Sequence, residues 1–129
     1  MTVKQISVFV ENKPGRLAAI CRALAAKEVS IVAMSLADTA DFGIVRMIVD
    51  DHPKAVETLA AAGFAVRETE VVVATVPDRP GGMAELMERF DAAGVDIEYS
   101  YAYAPGDGGK AVLVFRFSDN AKAEAALRE

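Results

Sequence analysis

Along the chain, stretches that alternate apolar and polar residues give way to stretches with helical spacing, and the same succession occurs twice. "VKQISVFV" at 3–10 alternates well enough for a strand. After it, Leu17, Ile20, Cys21 and Leu24 follow the i, i+3, i+4, i+7 spacing of an amphipathic helix, which predicts a helix from the Pro14-Gly15 corner to about Lys27. "VSIVAMSLA" at 29–37 is β-branched and apolar; Asp41 and Gly43 punctuate a hairpin into a third strand, "FGIVRMIV" at 42–49. His52-Pro53 opens a second helix with Val56, Leu59 and Ala60 on one side, ending near Gly63. "FAVRETEVVVATV" at 64–76 is too long for one ordinary strand, so it is expected to close one unit and open the next.

The succession then starts again. A helix over 80–93 carries Met83, Leu86, Met87 and Phe90 at the same spacing. Strands "VDIEYSYAYA" (95–104) and "KAVLVFRFS" (110–118) flank a turn, "PGDGG", and "NAKAEAALRE" begins another helix. Pro14-Gly15 and Pro80-Gly81 stand 66 residues apart, from 14 to 80, and at that offset Ala18 meets Ala84, Val29 meets Val95 and Ile31 meets Ile97. Beyond the hairpin the offset becomes 68, from Asp51 to Asp119, which fits a longer turn in the second copy. Identical alanines could be coincidence; matching periodicity in the same place argues for a true internal repeat.

Each repeat reads βαββαβ, the ferredoxin-like split βαβ order. The expectation is an α+β fold of two such units in tandem, at 1–70 and 71–129, with antiparallel sheets and helices on one face. The second unit lacks its last strand. Units of about 65 residues are marginal alone, so the two should pack on each other. Ile44 and Ile48 alternate with Val45, Met47 and Val49, so the strands are apolar on both faces, and the face without helices calls for a further partner.

The most specific stretches are "ENKPGRL" (11–17) and "PDRPGGM" (77–83). Proline is favoured at the first helical position, and a glycine beside it lets another group approach the backbone. The amides of Gly15, Arg16 and Leu17 then lack intrahelical partners at the positive end of the helix dipole, which suits a carboxylate. Asn12, or Asp78 in the second copy, can accept from an ammonium group. Together these are the groups that a free amino acid requires. The plainer reading is a cap and a chain reversal, and the recurrence of the motif in equivalent places weighs against it.

Composition narrows the rest. With 53% hydrophobic and 26% charged residues the chain is ordinary for a globular protein with a core. A net charge of −5 without a Lys/Arg cluster argues against a nucleic-acid partner. No apolar run is long enough to cross a bilayer and the N-terminus lacks a signal-peptide layout, so a cytoplasmic location is expected. One cysteine and one histidine leave few parts for metal or dyad catalysis, and no metal site or cofactor is expected. Cys21 falls in the helical stripe and is expected to be buried; His52 is expected at a surface helix start. Tyr99, Tyr101 and Tyr103 alternate on one strand face and are expected to pack or line an interface, while Glu68, Glu70, Glu85 and Glu88 are expected to be solvated.

"VENKPGRLAAICRALAAKEVSIVAMSLA" and "VPDRPGGMAELMERFDAAGVDIEYSYAYA" resemble ACT domains, small βαββαβ regulatory modules with an N/D-x-P-G-x-L corner and a G-V-x-I-type second strand. The resemblance covers nearly the whole chain as a tandem pair. It implies a non-enzymatic sensor that binds a small amino acid between the corner of one domain and the second strand of its neighbour, in a homo-oligomer, as a dimer. Carried over residue by residue, the first site is Asn12, Gly15, Arg16 and Leu17 with Ser30 and Ile31; the second is Asp78, Gly81, Gly82 and Met83 with Asp96 and Ile97. Some amino-acid-binding relatives have Asn where this chain has Ser30 and Asp96, and a polar residue at Val10. The apolar second strand (Ile31, Val32, Met34) favours an aliphatic or aromatic ligand. The alternative is a detached regulatory subunit docked on a catalytic subunit, like the small subunit of acetolactate synthase. An acylphosphatase-like hydrolase would want an Arg-bearing anion loop with a paired Asn, which Arg16 and Asn12 match poorly.

Overall fold

A computed structural model of the chain describes residues 1–11, 13–38, 41–103 and 108–128, Asp38 by its backbone only. The elements run β1 (Thr2–Glu11), α1 (Arg16–Ala26), β2 (Ile31–Asp38), β3 (Phe42–Val49), α2 (His52–Ala61), β4 (Ala65–Pro77), α3 (Gly82–Ala93), β5 (Ile97–Ala102), β6 (Lys110–Phe117) and α4 (Asn120–Arg128). The chain divides into two compact units: Lys4–Thr69, and Met1–Val3 with Glu70–Glu129. β4 runs through the junction unbroken, as its length demanded.

In the first unit the strand order is β2-β3-β1-β4, with β3 antiparallel to both β1 and β2. Alternation along the strands decides the faces. Ile6, Val8 and Val10 of β1 and Val45, Met47 and Val49 of β3 meet Ile20 and Leu24 of α1 and Ala55 and Leu59 of α2 in one buried cluster. On the opposite face Gln5 and Ser7 are buried, with Gln5 Nε2 donating to Ser7 Oγ at 3.1 Å, while Phe9 and Phe42 are exposed. Arg67 covers the Phe9 ring at 5.7 Å.

The second unit has its own cluster, in which Val72, Ala74 and Val76 of β4 and Phe115 and Phe117 of β6 meet Leu86 and Phe90 of α3 and Ala123 and Ala126 of α4. Phe90 stands edge-on to Phe115 and Phe117, with ring centroids 5.4 and 4.7 Å away, contacts worth about 0.5–1.5 kcal/mol each beyond the area they bury. This unit also takes in a segment distant in sequence, the start of β1. Val73 N–H donates to Met1 O at 2.8 Å and the Met1 amino group to Val73 O at 3.3 Å, so the start of β1 lies beside β4 in the order β1-β4-β6-β5. Glu124 on α4 secures it, accepting from Thr2 Oγ1 at 2.6 Å and lying 3.1 Å from the Met1 amino group. These bonds, the Thr2 hydroxyl's first, hold the Glu124 carboxyl below its ordinary pKa.

The repeat extends to the caps. Asp51 accepts from Lys54 N–H at 3.2 Å, and Asp119, 68 residues on, accepts from Lys122 N–H at 3.0 Å. Helix α3 ends on Gly94 in the left-handed region (φ 69°), with Gly94 N–H on Asp91 O and Val95 N–H on Phe90 O. Helix α1 closes with the same pair of bonds, Glu28 N–H on Ala25 O and Val29 N–H on Leu24 O, but its left-handed residue is Glu28 (φ 57°).

Two expectations are corrected. Cys21 is half-exposed; of its stripe Ile20 and Leu24 are buried, so the face that α1 buries is narrower than the spacing suggested. Pro14 and Pro80 do not begin their helices: each precedes a left-handed glycine, Gly15 (φ 86°) or Gly81 (φ 88°), which is the N-cap. The chain reverses through the glycine before the first helical residue, where any Cβ would be strained.

Candidate functional site

The first corner lies where β1 ends and α1 begins. Arg16 N–H reaches back to Lys13 O at 3.4 Å, so it is engaged, contrary to expectation; Gly15 and Leu17 N–H have no partner among the described residues. Arg16 lies along the Phe64 ring at 5.9 Å, and Lys13 Nζ is 2.8 Å from a Glu11 carboxylate oxygen. The Lys13 ammonium, by hydrogen bond and by charge, holds the Glu11 carboxyl below its ordinary pKa. Asn12 falls outside the described residues.

Beneath this rim is a cavity of about 140 Å³ lined by Val10, Glu11, Lys13, Arg16, Leu17, Leu36 and Gly43. Its elements meet there by register: Val10 of β1 pairs with Gly43 of β3, and Leu36 and Asp38 of β2 pair with Val45 and Gly43. The cavity thus gathers Arg16 and Leu17 with Glu11 and Lys13 of the same motif and with Val10, Leu36 and Gly43, which lie outside it. Gly43, expected to punctuate the hairpin, is a buried strand residue whose missing side chain leaves the space open.

Ser30 and Ile31 stand elsewhere. Ile31 pairs with Val49, at the end of β2 remote from Gly43, and Ser30 is held by Asp50, whose Oδ1 accepts from Ser30 N–H at 2.9 Å while Asp50 N–H donates to Ser30 O at 3.1 Å. Within the first unit they do not join the corner. The second unit repeats this: Ile97 pairs with Phe117 and Ser118 N–H donates to Asp96 O, away from Gly81.

The second corner is closed differently. Gly82 is buried, and a Cβ on it would lie 2.2 Å from Pro77 O, so α3 starts in direct contact with the end of β4. Gly82 N–H donates to Arg79 O at 3.0 Å and Asp78 N–H to Gly109 O at 2.9 Å. Arg79 turns to Glu85 on α3 at 3.0 Å, and Met83 is exposed. A hollow of about 430 Å³ lined by Thr75, Val76, Pro77, Gly108, Gly109 and Lys110 takes nothing from α3.

Other groups bear on the chemistry. Glu68, Glu70, Glu85 and Glu88 are exposed, as expected, and two of them also have partners: His52 Nε2 lies 2.8 Å from Glu68 Oε1, and Arg79 lies against Glu85. Tyr99, Tyr101 and Tyr103 are half-buried on β5 and just beyond it. A hollow of about 460 Å³ between α3 and α4 is floored by alanines, and its Arg89 is committed to the Ala126 and Leu127 carbonyls. Among the described residues no group of three or more His, Cys, Asp or Glu side chains could hold a metal ion, and no helix is long and apolar enough to cross a membrane.

Duplicated βαββ units with a left-handed glycine at the β1–α1 and β4–α3 corners define a class of small paired α+β module. The chain belongs to the family described as the ACT domain pair, whose model matches residues 1–128. It is similar to the crystal structure of protein BT0572 from Bacteroides thetaiotaomicron, with 40% identity over 99% of this chain and 88% of that one and a TM-score of 0.92. It shares its fold with the regulatory subunits of aspartate kinase from Thermus thermophilus (18% identity, 99% of this chain and 91% of that one, TM-score 0.70) and Thermus flavus (17%, 99% and 92%, 0.64). No functionally curated protein matches the sequence.

Proposed function

We propose that this ACT domain pair is a non-catalytic regulatory protein that binds a free amino acid and thereby biases a partner or its own assembly. The observation that carries the proposal is the first corner: a small cavity with apolar walls whose mouth holds Glu11, Lys13 and Arg16. A zwitterion supplies both charges that such a mouth can pair, and the N–H groups of Gly15 and Leu17, which have no partner among the described residues, suit its carboxylate. Ser30 with Ile31, and Asp78, Gly81, Gly82 and Met83 with Asp96 and Ile97, remain proposals for contacts that a neighbouring domain would complete. The proposed setting is the cytoplasm, and the exposed Phe9 and Phe42 make a homodimer the proposed assembly, to be checked by sedimentation.

A thermal-shift screen against the twenty amino acids tests the function. A ligand that binds only the folded state stabilises it by about 2.7 kcal/mol at a hundredfold excess over Kd. A rise in Tm with at least one amino acid at millimolar concentration is expected, and a flat response to all of them refutes the proposal. The second reading, a regulatory subunit that docks on a separate catalytic chain, is favoured by the aspartate kinase regulatory subunits that share the fold. Co-purification with a catalytic chain, and a change in that chain's amino-acid sensitivity on removal of this one, would support it.

A further inference from the structure

We infer that the first corner is the selective one, that it takes an amino acid with a small aliphatic side chain, and that Gly43 sets the size limit. The inference rests on the amino-acid-binding reading above. The apolar lining is Val10, buried, Leu17, half-buried, and Leu36, whose outer part is exposed, and the charged lining groups Glu11, Lys13 and Arg16 are all exposed. A polar side chain pushed inside would lose its water without gaining a hydrogen bond. The volume, about 140 Å³, is well below the roughly 300 Å³ at which pockets for drug-sized ligands begin. A branched aliphatic side chain fits that space better than an aromatic ring.

Gly43 has no backbone reason to be glycine, because its φ lies outside the left-handed region. A Cβ there would sit 3.4 Å from Val10 Cγ2 and 3.5 Å from Leu36 Cδ1, in ordinary contact. The strand would accept a side chain, and its absence leaves the floor of the cavity open. In the second unit the equivalent position, 68 residues on, is Ala111, whose methyl packs against the core. There Gly82 also stands where the first unit has Arg16, so that corner has neither the floor nor the cation of the first. The Glu11–Lys13 pair at the mouth is exposed on both sides and opens at little cost. The α-ammonium of the ligand then goes to Glu11 and its carboxylate to Lys13 and Arg16.

The experiment is calorimetric titration of the full chain with valine, threonine, leucine and phenylalanine, repeated on Gly43→Val and Gly43→Ala. Valine and threonine have nearly the same shape and differ by a hydroxyl, so threonine should bind about tenfold or more weakly if the interior is apolar. Phenylalanine should bind more weakly than either aliphatic acid. Gly43→Val should abolish valine binding, and Gly43→Ala should weaken leucine more than valine; the alanine variant keeps the test open if the valine variant fails to fold. Threonine or phenylalanine binding as tightly as valine overturns the aliphatic assignment while amino-acid binding stands. Aliphatic binding that Gly43→Ala leaves untouched overturns the location. No heat with any amino acid overturns the parent reading, and this inference falls with it.

Discussion

Replacing Glu28 with glycine should stabilise the protein. Glu28 occupies the left-handed position that ends α1, with φ at 57°, where its repeat equivalent in α3, 66 residues on, is Gly94 with φ at 69°. The closing hydrogen bonds of the two helices correspond bond for bond, so the backbone at 28 is already the one that glycine adopts freely. A residue with a Cβ costs about 1–2 kcal/mol there. Glycine also loosens the unfolded chain, which returns about 0.4–1 kcal/mol of that gain. Glu28 is exposed, and among the described residues its side chain has no hydrogen-bond or ion-pair partner to lose. The net expectation for Glu28→Gly is a gain of about 0.5–1 kcal/mol. At an unfolding entropy of about 2.1 cal/mol/K per residue, 1 kcal/mol raises Tm by about 4 °C if the chain unfolds as one, and by about 7 °C if the first unit melts alone. Differential scanning calorimetry reads both the size and the number of transitions. The reciprocal Gly94→Ala places its new Cβ 3.6 Å from Lys122 Nζ, an ordinary contact, so its loss of about 1 kcal/mol reports the backbone alone. If Glu28→Gly lowers Tm, or Gly94→Ala leaves it unchanged, the reasoning from the left-handed position is wrong.

Other perturbations separate further parts of the molecule. Gly82→Ala brings a methyl within 2.2 Å of Pro77 O and should cost about 1–3 kcal/mol by chemical denaturation, whereas Arg16→Ala at the equivalent exposed place should change stability by about 0.5 kcal/mol or less. Phe90→Ala empties the centre of the second unit's aromatic cluster and should lose about 3–5 kcal/mol by the same assay. Glu124 has a folded pKa below its unfolded one, so its contribution is present above about pH 4.5 and fades as pH falls through the folded value. The stability difference between wild type and Glu124→Gln, about 1 kcal/mol for a half-buried carboxylate whose Met1 partner is exposed, should therefore shrink on acidification; a gap that widens contradicts the assignment. Asp51→Ala and Asp119→Ala should each lose about 0.5–2 kcal/mol of helix capping, measured by urea unfolding.

Much of the fold was legible because it is written in local pattern. The period of the stripes, the two Pro-Gly corners and the over-long strand at 64–76 are properties of short windows, and the repeat confirmed each window against another. What escaped notice depends on distant partners or on missing atoms. The Met1–Val3 segment beside β4 is a pairing across 72 residues, and no local signal announces it. Gly43 shapes a cavity by lacking a side chain, and a glycine after a hairpin looks the same whether it turns the chain or leaves room. Gly82 resembled a ligand-facing residue, yet it is needed because Pro77 O lies against it, a distance no spacing reveals. The left-handed Glu28 could have been found: aligning it with Gly94 was within reach of the repeat, but a glutamate after an alanine-rich helix gives no warning alone.

The N-terminal residues also have a place in time. In synthesis Met1–Val3 precede their partner Val73 by some seventy residues and Glu124 by more. During synthesis the first unit can therefore build its core from residues 4–69 while Met1–Val3 wait unpaired, and the second unit takes up this earlier-made segment only when β4 and α4 follow. An extension fused ahead of Met1 would thus disturb the half of the protein made last.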